Sequence, residues 1–116
     1  MALIKKGDVF LVNFDPTLGA EARKTRPAVI VSNDINNAHS PIVSICPVTS
    51  NVKNVYSFEV AVPQDAGGLD KPSKIMVNQT RAVDKARLMK KIGHLQPEIM
   101  SRIDAALCLH YDLDLL

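Results

Sequence analysis

Short β-branched runs broken by turn-forming residues constrain this chain more than any other feature. Val9 to Phe14 is apolar on both faces, which predicts a central strand, and Asp15-Pro16 stops it. Ala28 to Ser32 is a second run, closed by Asn33-Asp34. Pro41 to Val48 (PIVSICPV) is a third, and its internal Pro47 argues for an edge or a bulge near that end. Ser57 to Val62 alternates, with Phe58, Val60 and Val62 on one face and Glu59 on the other, as a half-exposed strand does. Lys74 to Gln79 and Leu88 to Leu95 supply the last runs.

Between them lie polar segments. Thr17 to Thr25 is a loop pivoting on Gly19, Asn36 to Ser40 is loop, and Thr49 to Asn54 is a turn. Pro63 to Pro72 is a loop holding Gly67-Gly68, and Thr80-Arg81 leads into a short turn at Asp84-Lys85. Only the end of the chain has helical spacing. Pro97 suits a first helical position, and Ile99, Ile103, Ala106 and His110 recur at i, i+4, i+7 and i+11, so Pro97 to Tyr111 is expected to be a helix. About five or six short strands followed by one helix predict a mainly β fold, a small twisted antiparallel barrel with a C-terminal α-helix. At 116 residues, 47% of them hydrophobic, the chain is expected to form a single domain over residues 1–116. With no Trp the core is largely aliphatic, and a domain so small is marginal alone; pairing as a homodimer would bury more surface.

A formal net charge of +2 permits a nucleic-acid partner without demanding one. The first ten residues lack the apolar core of a secretory signal, and no run reaches transmembrane length. The reading is therefore cytoplasmic, with no membrane contact. Cys46 and Cys108 read as isolated thiols, and His39, His94 and His110 show no metal spacing, so no metal or other cofactor is expected.

What chemistry remains sits at strand ends. Arg26 precedes Pro27, which disfavours helical backbone before it, so the guanidinium should be held at the mouth of the second strand. Its planar fork of donors suits a phosphate and stays charged at any working pH. A surface ion pair with Glu21 or Asp34 is the plainer reading. Lys24 flanks Arg26, Asn33 follows the second strand, Thr49-Ser50 follow the third, and Gln79 and Arg81 follow the fifth. Arginine, amide and hydroxyl groups converging on a barrel rim can bind phosphate and read unpaired bases. Singly, Thr49-Ser50 and Asn33 are turn residues first, and Gln79 and Arg81 are more often exposed strand residues.

The opening GDVFLVNFDPTLGAEARKTRPAVIVSND, the PVTSNV segment, and VNQTRAVDKARL with the closing helix resemble the MazF/PemK (Kid) family of bacterial toxin endoribonucleases. The resemblance runs from Lys6 to about Asp112 and is most specific at Gly7-Asp8, Pro16…Gly19…Glu21, Arg26-Pro27 and Gln79…Arg81. It implies an SH3-like barrel, a homodimer, and sequence-specific, metal-independent cleavage of single-stranded RNA to a 2′,3′-cyclic phosphate and a free 5′-hydroxyl. It also implies a cognate antitoxin whose disordered segment fills the RNA groove. On this resemblance Arg26 is the family's arginine and Thr49 its catalytic threonine. Glu21, Lys24, Asn33, Ser50, Gln79 and Arg81 are the expected substrate-binding residues around them.

Physical chemistry refines those roles. The 2′-hydroxyl beside the phosphorus is a tethered nucleophile. A guanidinium is too strong a conjugate acid to serve as base, so Arg26 suits charge stabilisation. Thr49 suits orienting the 2′-hydroxyl or bonding the phosphate. Glu21 is either the base or an ordering group for its loop. Leu18 to Thr25, with little to pack, is expected to close over RNA. A non-catalytic toxin of the same fold, poisoning a protein target such as DNA gyrase, is the alternative.

Overall fold

Alternate residues of the central strands feed two separate cores, which is why their apolar runs are continuous. A computed structural model describes residues 3–114. Strand β1 (Asp8–Asn13) lies between β2 (Thr25–Ile30) and β7 (Leu88–His94), antiparallel to both. Val9 and Val29 enter one core, beneath the C-terminal helix α2 (Pro97–His110), together with Cys46, Val48 and Ile75. Val12, Ala28 and Ile30 enter the other, with Phe14, Val43 and Ile45. The expectation of a central first strand holds for this reason.

Strand β3 (Ile42–Thr49) pairs with β2 along one side. On its other side it pairs first with β6 (Arg81–Asp84) and then with β5 (Ser73–Met76), which in turn pairs with β4 (Glu59–Val62). The sheet order is β4-β5-β3-β2-β1-β7, with β6 on β3. Pro47 therefore lies in a central strand and not at an edge. It falls at the break between β6 and β5, where the ladder on that side is interrupted and a residue without an N–H is tolerated.

The turn after β4 folds back onto β7 and brings the two ends of the sheet together. Gly67 and Gly68 have φ of +61 and +78, and a side chain on Gly68 would collide with the Ile92 carbonyl. Gly93 faces Gly67 with no more room, so backbone meets backbone only because these positions lack Cβ atoms. In α2 the buried stripe is Ile103 and Ala106, flanked by Ile99 and Leu107; His110 lies beyond it in solvent.

Several elements differ from the expectation. Asp34–His39 is a helical turn, α1, and not loop. The Asn33 side chain accepts from the Asn36 N–H at 2.8 Å, and the buried Asn37 exchanges hydrogen bonds with Ser32. A polar run held largely by side-chain hydrogen bonds has no apolar period to betray it. Arg81–Asp84 is a strand, missed because only Val83 is buried there. Residues Val77–Gln79 form a 3₁₀ turn, so the fifth strand stops at Met76. Glu59 is tucked in, its side chain 6% exposed against Lys74. Cys46 is buried, and burial pushes its thiol up to about 12 despite a hydrogen bond from Thr80; it is an inert thiol. Among the described residues no helix is long and apolar enough to cross a membrane.

Candidate active site

Arg26 lies inside β2, opposite Val12 of β1, rather than in the loop before the strand. The antiparallel register pairs Ala28 with Pro47. Continued by two residues, it brings Arg26 level with Thr49, the last residue of β3. Two side chains 23 positions apart in sequence therefore reach one rim because strands of opposite direction begin and end there. Arg26, Thr49, Ser50, Asp70, Lys71 and Ser73 line a hollow of about 320 Å³. The glycine-dependent turn onto β7 carries the chain onward to Asp70 and Lys71. The sequence marked that stretch only as loop, although Gly67-Gly68 announced a tight return.

The Arg26 Nε donates to the Arg23 carbonyl at 3.1 Å, which fixes the plane of the fork. Among the described residues no carboxylate lies within ion-pair distance of the guanidinium. The two acids weighed as partners are engaged elsewhere. Glu21 accepts from the Leu18 N–H at 2.5 Å and Asp34 from the Lys6 N–H at 2.7 Å. The surface ion-pair reading of Arg26 is thereby set aside. Arg26 lines the hollow, and among the described residues its Nη donors have no protein acceptor, the state an anion site needs.

Thr49 Oγ1 accepts from the Asn51 N–H at 3.2 Å, closing the turn as the plainer reading expected. A hydroxyl that accepts one bond still has its proton to donate, so the turn role leaves the chemical one intact.

Glu21, Gln79 and Arg81 gather in a second hollow, of about 380 Å³, which begins one residue from the first, at Pro47. Gln79 Oε1 accepts from the Ala22 N–H at 2.6 Å, across 57 residues, and Ala22 is buried. The loop expected to lack packing is thus tethered at Ala22, while Leu18 at its tip is 82% exposed. Its stem is closed as well: the Lys24 N–H donates to Asp15 Oδ1 at 3.0 Å, and Arg87 donates to the Asn13 and Asp15 carbonyls. Lys24 has φ of 65, and its exposed side chain lines neither hollow. Arg81 lies over the Phe14 ring, 5.8 Å from its centroid. Asn33 caps α1 at the other end of β2, so the structure does not bring it to the rim.

Residues 5–111 match the model of the PemK-like, MazF-like toxins of type II toxin–antitoxin systems. The chain belongs to this family. It is 36% identical to Endoribonuclease MazF9 of Mycobacterium tuberculosis, with 96% of this chain and 98% of that protein aligned. It is 33% identical to Endoribonuclease EndoA of Bacillus subtilis, over 90% of this chain and 91% of that one. A mycobacterial endoribonuclease solved with its cognate antitoxin superposes with a TM-score of 0.79 at 21% identity, covering all of both chains. The mainly β fold with its C-terminal helix is thus the fold of MazF-like toxins. In this family member the Arg26–Thr49 rim and the Gln79-tethered loop stand side by side.

Proposed function

We propose that this MazF-like toxin is an endoribonuclease whose Arg26 clamps the scissile phosphodiester of single-stranded RNA. The observation that carries the reading is the Arg26 guanidinium, fixed through Nε and otherwise unpartnered, level with the Thr49 hydroxyl at the mouth of a hollow. The reaction joins the 2′-oxygen to phosphorus and breaks the bond from phosphorus to the 5′-oxygen. It leaves a 2′,3′-cyclic phosphate and a 5′-oxygen that takes a proton from solvent to become the 5′-hydroxyl. Arg26 stabilises the charge gathering on the nonbridging oxygens, a task typically worth about 3–4 kcal/mol, or roughly 10²–10³ in rate. Thr49 donates its free hydroxyl proton to the same group or orients the 2′-hydroxyl.

Glu21 lies in the neighbouring hollow with its carboxylate committed to Leu18, so it orders the loop. Asp70 is the carboxylate lining the hollow of Arg26 and Thr49, which supports giving it the 2′ proton. Lys71 and Ser50 line the same hollow and suit flanking phosphates. Gln79 and Arg81 present the adjoining hollow to the next nucleotide. The protein works as a single-domain homodimer in the cytoplasm, held in check by a cognate antitoxin, as toxins of type II systems are. Exposed apolar side chains such as Met89, Leu109 and Tyr111 favour such assemblies.

The test is incubation of purified protein with a long single-stranded RNA in EDTA, followed by mapping of the cut ends. Cuts at one short sequence, ending in cyclic phosphate and 5′-hydroxyl, are expected. Intact RNA alongside inhibited DNA gyrase would replace the reading with that of a protein-targeting toxin.

A further inference from the structure

We propose that Tyr56 and Phe58 form a stacking platform for an unpaired nucleobase beside the scissile phosphate, an inference that rests on the RNA-cleaving function above. The two rings are parallel within 5°, with centroids 5.3 Å apart, and Tyr56 is 53% exposed. The chain has 2 Tyr, 3 Phe and no Trp, yet it sets two of these rings side by side on a loop. Aromatic pairs ordinarily gain by burial; here Phe58 is half-buried and Tyr56 stays open to water, which offers a flat π-face to a partner. Unpaired bases are such partners, whatever their sequence.

The platform is tied to the site through the ladder. Lys74 of β5 is the register partner of Thr49. Its Nζ lies 5.5 Å from the Tyr56 ring centroid, and it donates to the Asn54 carbonyl at 2.6 Å and to Glu59 Oε1 at 2.9 Å. That same Glu59 oxygen accepts the Tyr56 N–H at 3.0 Å. The ion pair is largely buried, with side chains 11% and 6% exposed. Buried pairs are weak sources of stability. What this one does is hold a loop and its aromatic ring in one place on Lys74, the strand neighbour of Thr49. Preorganisation of that kind suits a binding surface, since the ring has already lost the freedom that binding would remove. A nucleotide flanking the phosphate held by Arg26 would lay its base on Tyr56.

The chain lends itself to a direct test, because Tyr56 and Tyr111 are its only strong fluorophores. In a Tyr111→Phe background, Tyr56 emission is followed while mixed-sequence single-stranded RNA, 2′-O-methylated throughout, is added. Saturable quenching is expected. On a long cleavable RNA, Tyr56→Ala should raise KM about tenfold, within the roughly 5- to 150-fold that one base stack is worth. Its kcat and thermal midpoint should stay near wild type, and Tyr56→Phe should retain the wild-type KM. Wild-type cleavage with unquenched Tyr56 and an unchanged KM in Tyr56→Ala would overturn the platform alone. So would a loss confined to binding an acidic antitoxin-derived peptide. Saturable quenching by a protein that cuts no RNA would sink the cleavage reading and leave the platform standing.

Discussion

Two charged groups on this small barrel, Asp8 and Arg26, have opposite surroundings. Asp8 is 1% exposed and fully partnered: His94 Nδ1 lies at 2.8 Å, Lys91 Nζ at 3.2 Å and the Lys5 N–H at 2.9 Å. Burial alone would push its carboxyl up. The His94 hydrogen bond, the Lys5 N–H and Lys91 outweigh that and hold it below the usual aspartate range. Arg26 is half-buried, held through one nitrogen, and among the described residues has no carboxylate within ion-pair distance. A charge that meets every partner within its own fold ties segments together, here the start of β1 to β7. One left unmet at a rim is available to a substrate. Both belong to the most specific stretches of family resemblance, and only their surroundings tell the rivet from the reactive group.

The contrast breaks first at the substitutions that remove each charge. Arg26→Ala should lower the cleavage rate by roughly 10²–10³ and leave the thermal midpoint near wild type, since the one partner it loses, the Arg23 carbonyl, belongs to an exposed residue that water can serve. Asp8→Ala should do the reverse. It loses about 2–4 kcal/mol of stability by denaturant titration, because a buried, multiply bonded carboxylate disappears. The fraction that folds should cut RNA normally. The two profiles would merge if Arg26 were a structural group or Asp8 a catalytic one.

Acid sharpens the same comparison. The Asp8 pKa is lowered on folding from 3.8, so its stabilisation is present above that value and is lost as pH falls through the lower, folded pKa. The stability gap between wild type and Asp8→Asn, measured by urea midpoints from pH 7 downward, should hold to about pH 4 and then close. A gap that widened on acidification would contradict the sign.

Smaller effects follow at residues whose roles divide between turn and chemistry. Thr49→Val removes both the acceptor for Asn51 and the free hydroxyl, and should slow cleavage about tenfold while Thr49→Ser stays near wild type. Asn33→Ala should cost about 1 kcal/mol through the lost α1 cap and leave cleavage untouched, since Asn33 stands at the far end of β2 from Arg26.

What could be read from the sequence divides along the same line. The strands other than β6 announced themselves through β-branched runs, and the meeting of Arg26 with Thr49 followed from antiparallel strands ending at one rim. The helix showed its stripe. Unread were the contacts in which one polar side chain reaches a distant backbone or charge. Gln79 binds Ala22 across 57 residues, Asp8 binds His94 across 86, and Glu59 meets Lys74 under Tyr56. No period or spacing encodes such pairs, because each depends on the closed barrel. For that reason the hydrogen bonds by which Glu21 and Gln79 hold the loop could not be read from their positions. Asp70 passed as an ordinary loop residue until the turn onto β7 carried it to the Arg26 hollow.

The central claim is that a guanidinium, unpaired within the protein, meets the scissile phosphate. Its most direct test is the single-turnover cleavage rate of Arg26→Ala on saturating RNA, with and without added guanidinium ion. The account predicts a rate roughly 10²–10³ below wild type that rises with guanidinium and does not rise with ammonium at equal ionic strength. A folded Arg26→Ala protein cutting within about twofold of wild type, indifferent to guanidinium, would contradict it.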